Sequence, residues 1–166
     1  KKANELMAHS YFKTHKINSI GLRFFTVYGP WGRPDMAPII FTSAAYNNRS
    51  IKVFNYGDQK RDFTYIDDIV EGISRLVELE TFPAAAEICN IGNGKPIKLM
   101  DFIEEIEKNT GIKLDKKFTE SQKGDVVETY ADTSKLFLLS GYQANTSLDK
   151  GMNLFIAWYK KYFQVT

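Results

Sequence analysis

The chain has 166 residues, 43% of them hydrophobic and 14% aromatic, which is enough apolar material for one ordinary domain core and too much for a disordered segment. Twenty-two Lys and Arg against 20 Asp and Glu leave a formal charge of +2, and the basic residues are scattered, so the footprint of a nucleic-acid or anionic-membrane binder is absent. Cys89 is a lone cysteine with no intrachain disulfide partner, and no apolar run reaches the roughly 18 residues of a membrane span; the expected compartment is a reducing cytoplasm.

The first residues, KKANELMAHSYFKTHK, hold no initiator Met and no signal segment, and a helical pattern is in progress from the first letter. A piece of a longer protein is expected. Leu6, Met7, Ser10, Tyr11 and Thr14 recur at spacings of three and four, which predicts an amphipathic helix over residues 1–16. Ile20 to Val27 is nearly continuous in β-branched and aromatic residues and reads as one parallel strand buried on both faces.

Residues 29–37, GPWGRPDMA, hold two Gly and two Pro and predict a loop at that strand's carboxyl end, where open α/β sheets bind ligands. A helix is expected from Pro38 to about Asn48, then a strand Ile51–Phe54 closed by a turn at Tyr56-Gly57-Asp58. RDFTY reads as a strand. It feeds a helix with Asp67 as its cap and Ile69, Val70, Ile73, Leu76 and Val77 on one face. A strand over 87–91 ends at Gly92-Asn93-Gly94, and the helix Leu99–Thr110 is followed by Gly111, well placed as its C′ residue. Then come a strand over 113–118, a loop over 119–131, a short helix over 134–139, and a last helix over 147–163 that gathers Leu148, Met152, Phe155, Ile156, Tyr159 and Phe163. Alternating strands and helices make the fold α/β.

Short catalytic motifs are absent: no GxGxxG, P-loop, CxxC, HExxH or GxSxG occurs. His9 and His15, six residues apart, point to different helix faces, so no metal site is expected. Three polar clusters remain. Thr26, Arg33 and Asp35 accompany a Gly/Pro loop in which the guanidinium fork suits a carboxylate or phosphate, unless the Arg simply pairs with Asp35. Phe54 and Arg61 flank a tight turn and could stack on a base and neutralise a phosphate, or be a core ring and an Arg61–Asp62 surface pair. Gln122 and Asp125 in SQKGD could meet a ribose hydroxyl, or form a loop held by Asx turns.

RFFTVYGPWGRPDMA, GDQKRDFTYIDDIVEGI, NIGNGKPI, GDVVETYAD and WYKKYF, in this order across the whole chain, closely resemble the carboxyl half of extended short-chain dehydrogenase/reductases, specifically the UDP-glucuronate 4-epimerase group. The resemblance implies a doubly wound, Rossmann-type NAD-binding fold with a smaller nucleotide-sugar lobe. Residues 1–30 and 61–92 would be the remnant of the NAD-binding domain, and residues 31–60 and 93–166 the substrate lobe. Lys1 falls where the family's YxxxK motif has its catalytic, ribose-holding lysine; the Tyr would stand four residues earlier.

The resemblance further implies that Thr26 and Arg33 hold the uronate carboxylate and that Met36 contacts substrate. Phe54 would hold uracil, Arg61 and Gln122 the diphosphate, and Asp125 a ribose hydroxyl, while Tyr28 and Pro30 would line the cofactor. Gln122 stands where relatives acting on neutral sugars have Arg. Oxidation of a uronic acid at its 4-position gives a β-keto acid that loses carbon dioxide if the carboxylate bond aligns with the carbonyl π-system, so an Arg and Thr clamp would guard against that loss. The implied parent is a homodimer paired through residues 2–16, with UDP-sugar and NAD as small-molecule partners. Without the catalytic Tyr and glycine-rich loop, the piece alone is expected to be inactive; a 4,6-dehydratase, a UDP-glucuronate decarboxylase or a non-catalytic binding fragment are the competing readings.

Overall fold

Residues 2–165 are described by a computed structural model, and among them six α-helices alternate with eight short strands. Helix α1, Lys2–His15, buries none of its residues and is fastened to strand β1, Ser19–Phe24, by a bidentate pair in which Arg23 Nε and Nη2 donate to the two Glu5 carboxylate oxygens at 2.7 and 2.8 Å. Strand β2 is Thr26–Tyr28. The single strand expected over Ile20–Val27 is thus two, and the break at Phe25 has a plain cause: β1 pairs in parallel with β6, Ala86–Ile91, whereas β2 pairs in parallel with β5, Phe63–Tyr65. At the handover the Phe25 amide donates to Ile91 and the Thr26 amide to Asp62. Nor is the pair of strands buried on both faces. Only Tyr28 is fully covered and Phe24 is exposed, because α1 lies loosely over its side.

The remaining pairs are β3, Ile51–Val53, parallel to β8, Lys116–Phe118, and β4, Lys60–Arg61, antiparallel to β7, Ile97–Lys98. Strand β3 ends one residue short of Phe54, which begins a single 3-10 turn over Phe54–Gly57 with Asn55 and Tyr56 at positive φ. RDFTY is split at Asp62 into the end of β4 and all of β5.

Helix α2 is Ala37–Tyr46, with Pro38 in its first turn. Helix α3, Ile66–Val77, departs from the sequence reading in two respects. Asp67 lies exposed inside the first turn and caps nothing; Tyr65 holds the N-cap position without a side-chain bond. Val70 and Val77 are 56% and 76% exposed, since the buried stripe runs through Asp68, Ile69, Gly72 and Leu76. Gly72 is needed there because a Cβ would come within 2.9 Å of Ile91 Cδ1. Asp68, buried, accepts from the Tyr142 hydroxyl and the Asn145 and Thr146 amides and ties α3 to the distant 142–146 segment; burial and that carboxylate push the Tyr142 phenol up.

Helix α4, Leu99–Thr110, ends at Gly111 in the left-handed conformation, as the C′ reading requires. Helices α5, Ser134–Ser140, and α6, Leu148–Phe163, complete the chain, and the Ser147 hydroxyl caps α6 by accepting from the Lys150 amide. On α6, Met152, Phe155, Ile156 and Tyr159 are buried while Phe163 is 46% exposed.

The apolar side chains form two cores. The larger gathers Tyr28, Phe63 and Tyr65 from the strands with α2, α4 and α6; the smaller gathers Ile69, Leu76, Cys89, Ile91 and Leu136, with Ile20, Leu22 and Val27 against it. Helix α5 therefore packs with α3 and β6, although it lies within residues 93–166.

Candidate functional site

The loop at the carboxyl end of β2 is held at both ends. At its start, Gly29 takes φ 138°, and a Cβ there would lie 2.5 Å from Ile66 Cγ2, so only glycine lets the chain pass under α3. At its end, the Met36 amide donates to the Arg33 carbonyl at 3.2 Å, and Met36 becomes the N-cap of α2. Between these anchors the loop walls an open cavity of about 470 Å³, whose lining includes Phe25, Tyr28, Pro30, Trp31, Arg33 and Met36. Four residues assigned separately to cofactor and substrate, Tyr28, Pro30, Arg33 and Met36, thus line one space. Tyr28 is also a core residue: its ring meets Phe63, Tyr65 and Phe102 edge-on at 5.5–6.5 Å, and burial pushes its hydroxyl up.

Arg33 takes the simpler of its two readings. Its fork closes on Asp35, with Nε 3.0 Å from Oδ1 and Nη2 on Oδ2. Both side chains are exposed, at 74% and 63%, and the hydrogen bond lowers the Asp35 carboxyl below its ordinary value.

Arg61 behaves differently. Its Nη2 donates to Asp125 Oδ1 at 2.7 Å, its Nη1 donates to the Lys60 and Val127 carbonyls, and the buried Gln59 amide donates to Asp125 Oδ2 at 2.7 Å. The surface pair expected between Arg61 and Asp62 does not form. Asp62 is instead fully buried, accepting from the amides of Asn93, Gly94 and Ala131 at 2.8–3.0 Å and from the Thr64 hydroxyl at 3.2 Å. One carboxylate thereby joins β5, the Gly92-Asn93-Gly94 turn and the segment 129–131, and a Cβ on Gly92 would meet Ala131 Cβ at 2.6 Å.

Thr26 is half-buried at the head of β2, opposite Phe63 in the ladder, and its amide meets the Asp62 carbonyl. Phe54 is half-buried in the 3-10 turn, which is held against the neighbouring segment by the Tyr56 amide on the Thr119 carbonyl. Gln122 is exposed, and its carbonyl accepts from the Asp125 amide in the turn that presents Asp125. Lys1 lies outside the described residues. Among those residues, no group of three or more His, Cys, Asp and Glu could hold a metal ion, and no helix is long and apolar enough to cross a membrane.

Sequence reading missed Gln59 and Asp62. Their signal was weak: Asp62 stands between Arg61 and the apolar Phe63 at the entry to a strand, and a carboxylate buried there must collect donors.

Three comparisons bear on this arrangement. The chain is 45% identical to Protein CapI of Staphylococcus aureus over 99% of its length and 54% of the relative, and 39% identical to UDP-glucuronate 4-epimerase 4 of Arabidopsis thaliana over 98% of its length and 40% of the relative. Among solved structures, the UDP-glucuronic acid 4-epimerase of Bacillus cereus in complex with UDP-glucuronic acid and NAD superposes with a TM-score of 0.91 at 34% identity, over 98% of this chain and 51% of that one. The chain therefore spans about half the length of the relatives it matches. The family model for the NAD dependent epimerase/dehydratase family matches residues 1–92, more than half of the 166, and the chain belongs to that family.

Proposed function

We propose that this chain is the uronate- and nucleotide-binding half of an NAD-dependent UDP-glucuronate 4-epimerase, which interconverts UDP-glucuronate and UDP-galacturonate through a transient 4-keto sugar. The observation that carries the reading is the convergence of Tyr28, Pro30, Arg33 and Met36 on one cavity at the carboxyl end of a parallel strand. Its volume of about 470 Å³ falls within the range of small-molecule sites, about 300–1,000 Å³, and aromatic walls with a single cation suit a ring beside a carboxylate. The residues thus fit the nicotinamide end of the cofactor, and Tyr28 and Pro30 would line it. When bound, NAD supplies the reversible two-electron oxidation of the sugar carbon. Lys1, by its place in the family motif, would hold the nicotinamide ribose.

The chain's own residues bind and orient. Arg33, with the Thr26 hydroxyl, would grip the uronate carboxylate and keep its bond to the ring out of line with the 4-keto π-system, so that epimerisation outruns loss of carbon dioxide. Met36 would pack on the sugar, Phe54 on uracil, and Arg61 and Gln122 would meet the diphosphate. Asp125, already accepting from Arg61 and Gln59, retains lone pairs for a ribose hydroxyl. The smaller core, with α5 added to it, would belong to the cofactor domain, and the larger would join Tyr28, Phe63 and Tyr65 of that domain to the substrate-lobe helices α2, α4 and α6. Pairing of two copies would use α1, where Leu6, Met7 and Tyr11 are 72%, 59% and 53% exposed. The 166 residues alone are expected to bind and not to turn over.

The test is product analysis with the polypeptide at the length of its relatives, supplied with NAD and UDP-glucuronate. UDP-galacturonate without carbon dioxide is the expected result. Carbon dioxide and a UDP-pentose would make it a decarboxylase, and turnover of a neutral UDP-hexose with none of the uronate would overturn the carboxylate clamp.

A further inference from the structure

The loop that carries Arg33 is anchored at Gly29 and at Met36, but its apex has a third attachment. Trp31 reaches across to α6, where its ring meets Trp158 at 5.5 Å and Tyr162 at 4.9 Å, both edge-on, while Trp158 and Tyr162 stack on each other at 5.3 Å. Trp31 stands at φ 62°, a left-handed conformation rare for a bulky side chain, and the ring contacts are what oppose its relaxation. Two residues on, Arg33 projects from the same apex. The attachment is superficial, for Trp31 is 74% exposed, so its removal exposes little new surface and costs the fold little. Its consequence falls on the direction of the loop apex.

We propose that Trp31 is a positioning residue: by docking on Trp158 and Tyr162 it fixes the apex of the 29–36 loop, so that Arg33, whose fork rests on Asp35, is held at the cavity that the loop lines, and it couples helix α6 to discrimination between charged and neutral sugars. This rests on the reading of Arg33 as the uronate ligand. Loss of the clip frees the apex between its two fixed ends, and the fork then samples orientations that do not meet a carboxylate. Neutral sugars, which make no use of the fork, are indifferent to that freedom.

The test uses the polypeptide at the length of its relatives, with UDP-glucuronate and UDP-glucose as the two probes, in wild type, Trp31→Ala, Trp31→Phe and Tyr162→Ala. The preference for UDP-glucuronate, taken as the ratio of the two dissociation constants, is expected to fall about tenfold in Trp31→Ala, as loss of a positioning contact does. Trp31→Phe should restore most of the preference, and Tyr162→Ala should lower it in the same direction from the α6 side. In Tyr162→Ala, which stands outside the lining of the cavity, affinity for UDP-glucose and the unfolding midpoint should change little. Two indoles this close also couple their transitions, so the circular-dichroism difference between wild type and Trp31→Phe should show an exciton couplet near the indole bands. A missing couplet overturns the clip. A wild-type preference that survives both Trp31→Ala and Tyr162→Ala overturns the positioning role and leaves Arg33 as the uronate ligand. No preference in the wild type overturns the uronate reading and this proposal with it.

Discussion

Two arginine–aspartate pairs stand in the candidate site, and they differ in kind. Arg33 and Asp35 are two residues apart, are 74% and 63% exposed, and have no further partner in common. Arg61 and Asp125 are 64 residues apart, are 14% and 31% exposed, and are braced by the Gln59 amide and two backbone carbonyls. The first is a side-chain fork resting on a neighbour, free to exchange one carboxylate for another. The second is a joint that holds the 122–128 segment against β4. Exposed pairs contribute little to stability, whereas a partly buried pair with satisfied neighbours is costly to break on one side.

The largest effect is expected one residue beyond the joint. Asp62→Ala leaves the buried Ala131 amide, the half-buried Asn93 and Gly94 amides and the Thr64 hydroxyl without that acceptor, and should lower stability by about 3–5 kcal/mol, read as a shift in the urea midpoint. A loss below about 1 kcal/mol would mean that the segments it joins hold together without it. This residue also shows where sequence reading stops. The helix Leu99–Thr110 and its Gly111 were legible because the apolar period and the left-handed stop are local. Asp62 meets partners 31 and 69 residues away, and Gln59 meets one 66 residues away; no spacing announces such pairs. The break at Phe25 was hidden for the same reason, since it follows from which strand each half pairs with. Tyr28, Pro30 and Met36 were singled out by family likeness alone, and that they line one cavity needed coordinates.

Another buried carboxylate, Glu107, gives a pH test remote from both pairs. Burial alone would raise Glu107, but hydrogen bonds from Lys116, the Leu114 amide and Lys113 bring it from 4.5 down to about 2. A carboxyl whose folded value lies below its unfolded one contributes stability that is present above pH 4.5 and lost as pH falls toward 2. Glu107→Gln should flatten that segment of the stability profile, removing a contribution of about 3 kcal/mol at neutral pH. An unchanged slope between pH 4.5 and 2 would show that Glu107 titrates alike in both states.

Breaking the joint itself comes next. Arg61→Ala leaves Asp125 to Gln59 alone, while the Val127 carbonyl keeps the Lys60 amide, and should cost about 1–3 kcal/mol by denaturant titration. If the loss matches that of an ordinary surface change, the brace is of no structural consequence and the difference between the two pairs disappears.

Arg33→Ala carries the smallest structural effect and the sharpest functional one. With both partners exposed, the unfolding free energy should change by no more than about 0.5 kcal/mol. In the polypeptide at the length of its relatives, kcat/KM for UDP-glucuronate should nevertheless fall about a hundredfold or more, because a fork built for a carboxylate has no substitute in the apolar wall of the cavity. Asp35→Asn acts in the opposite direction. It removes the carboxylate that occupies the fork before substrate arrives, so affinity for the uronate should rise a few-fold while the neutral sugar is unaffected, an effect of the size of one exposed ion pair. If Arg33→Ala leaves uronate turnover intact, the exposed pair is only a turn contact, and the carboxylate must be held elsewhere in the site.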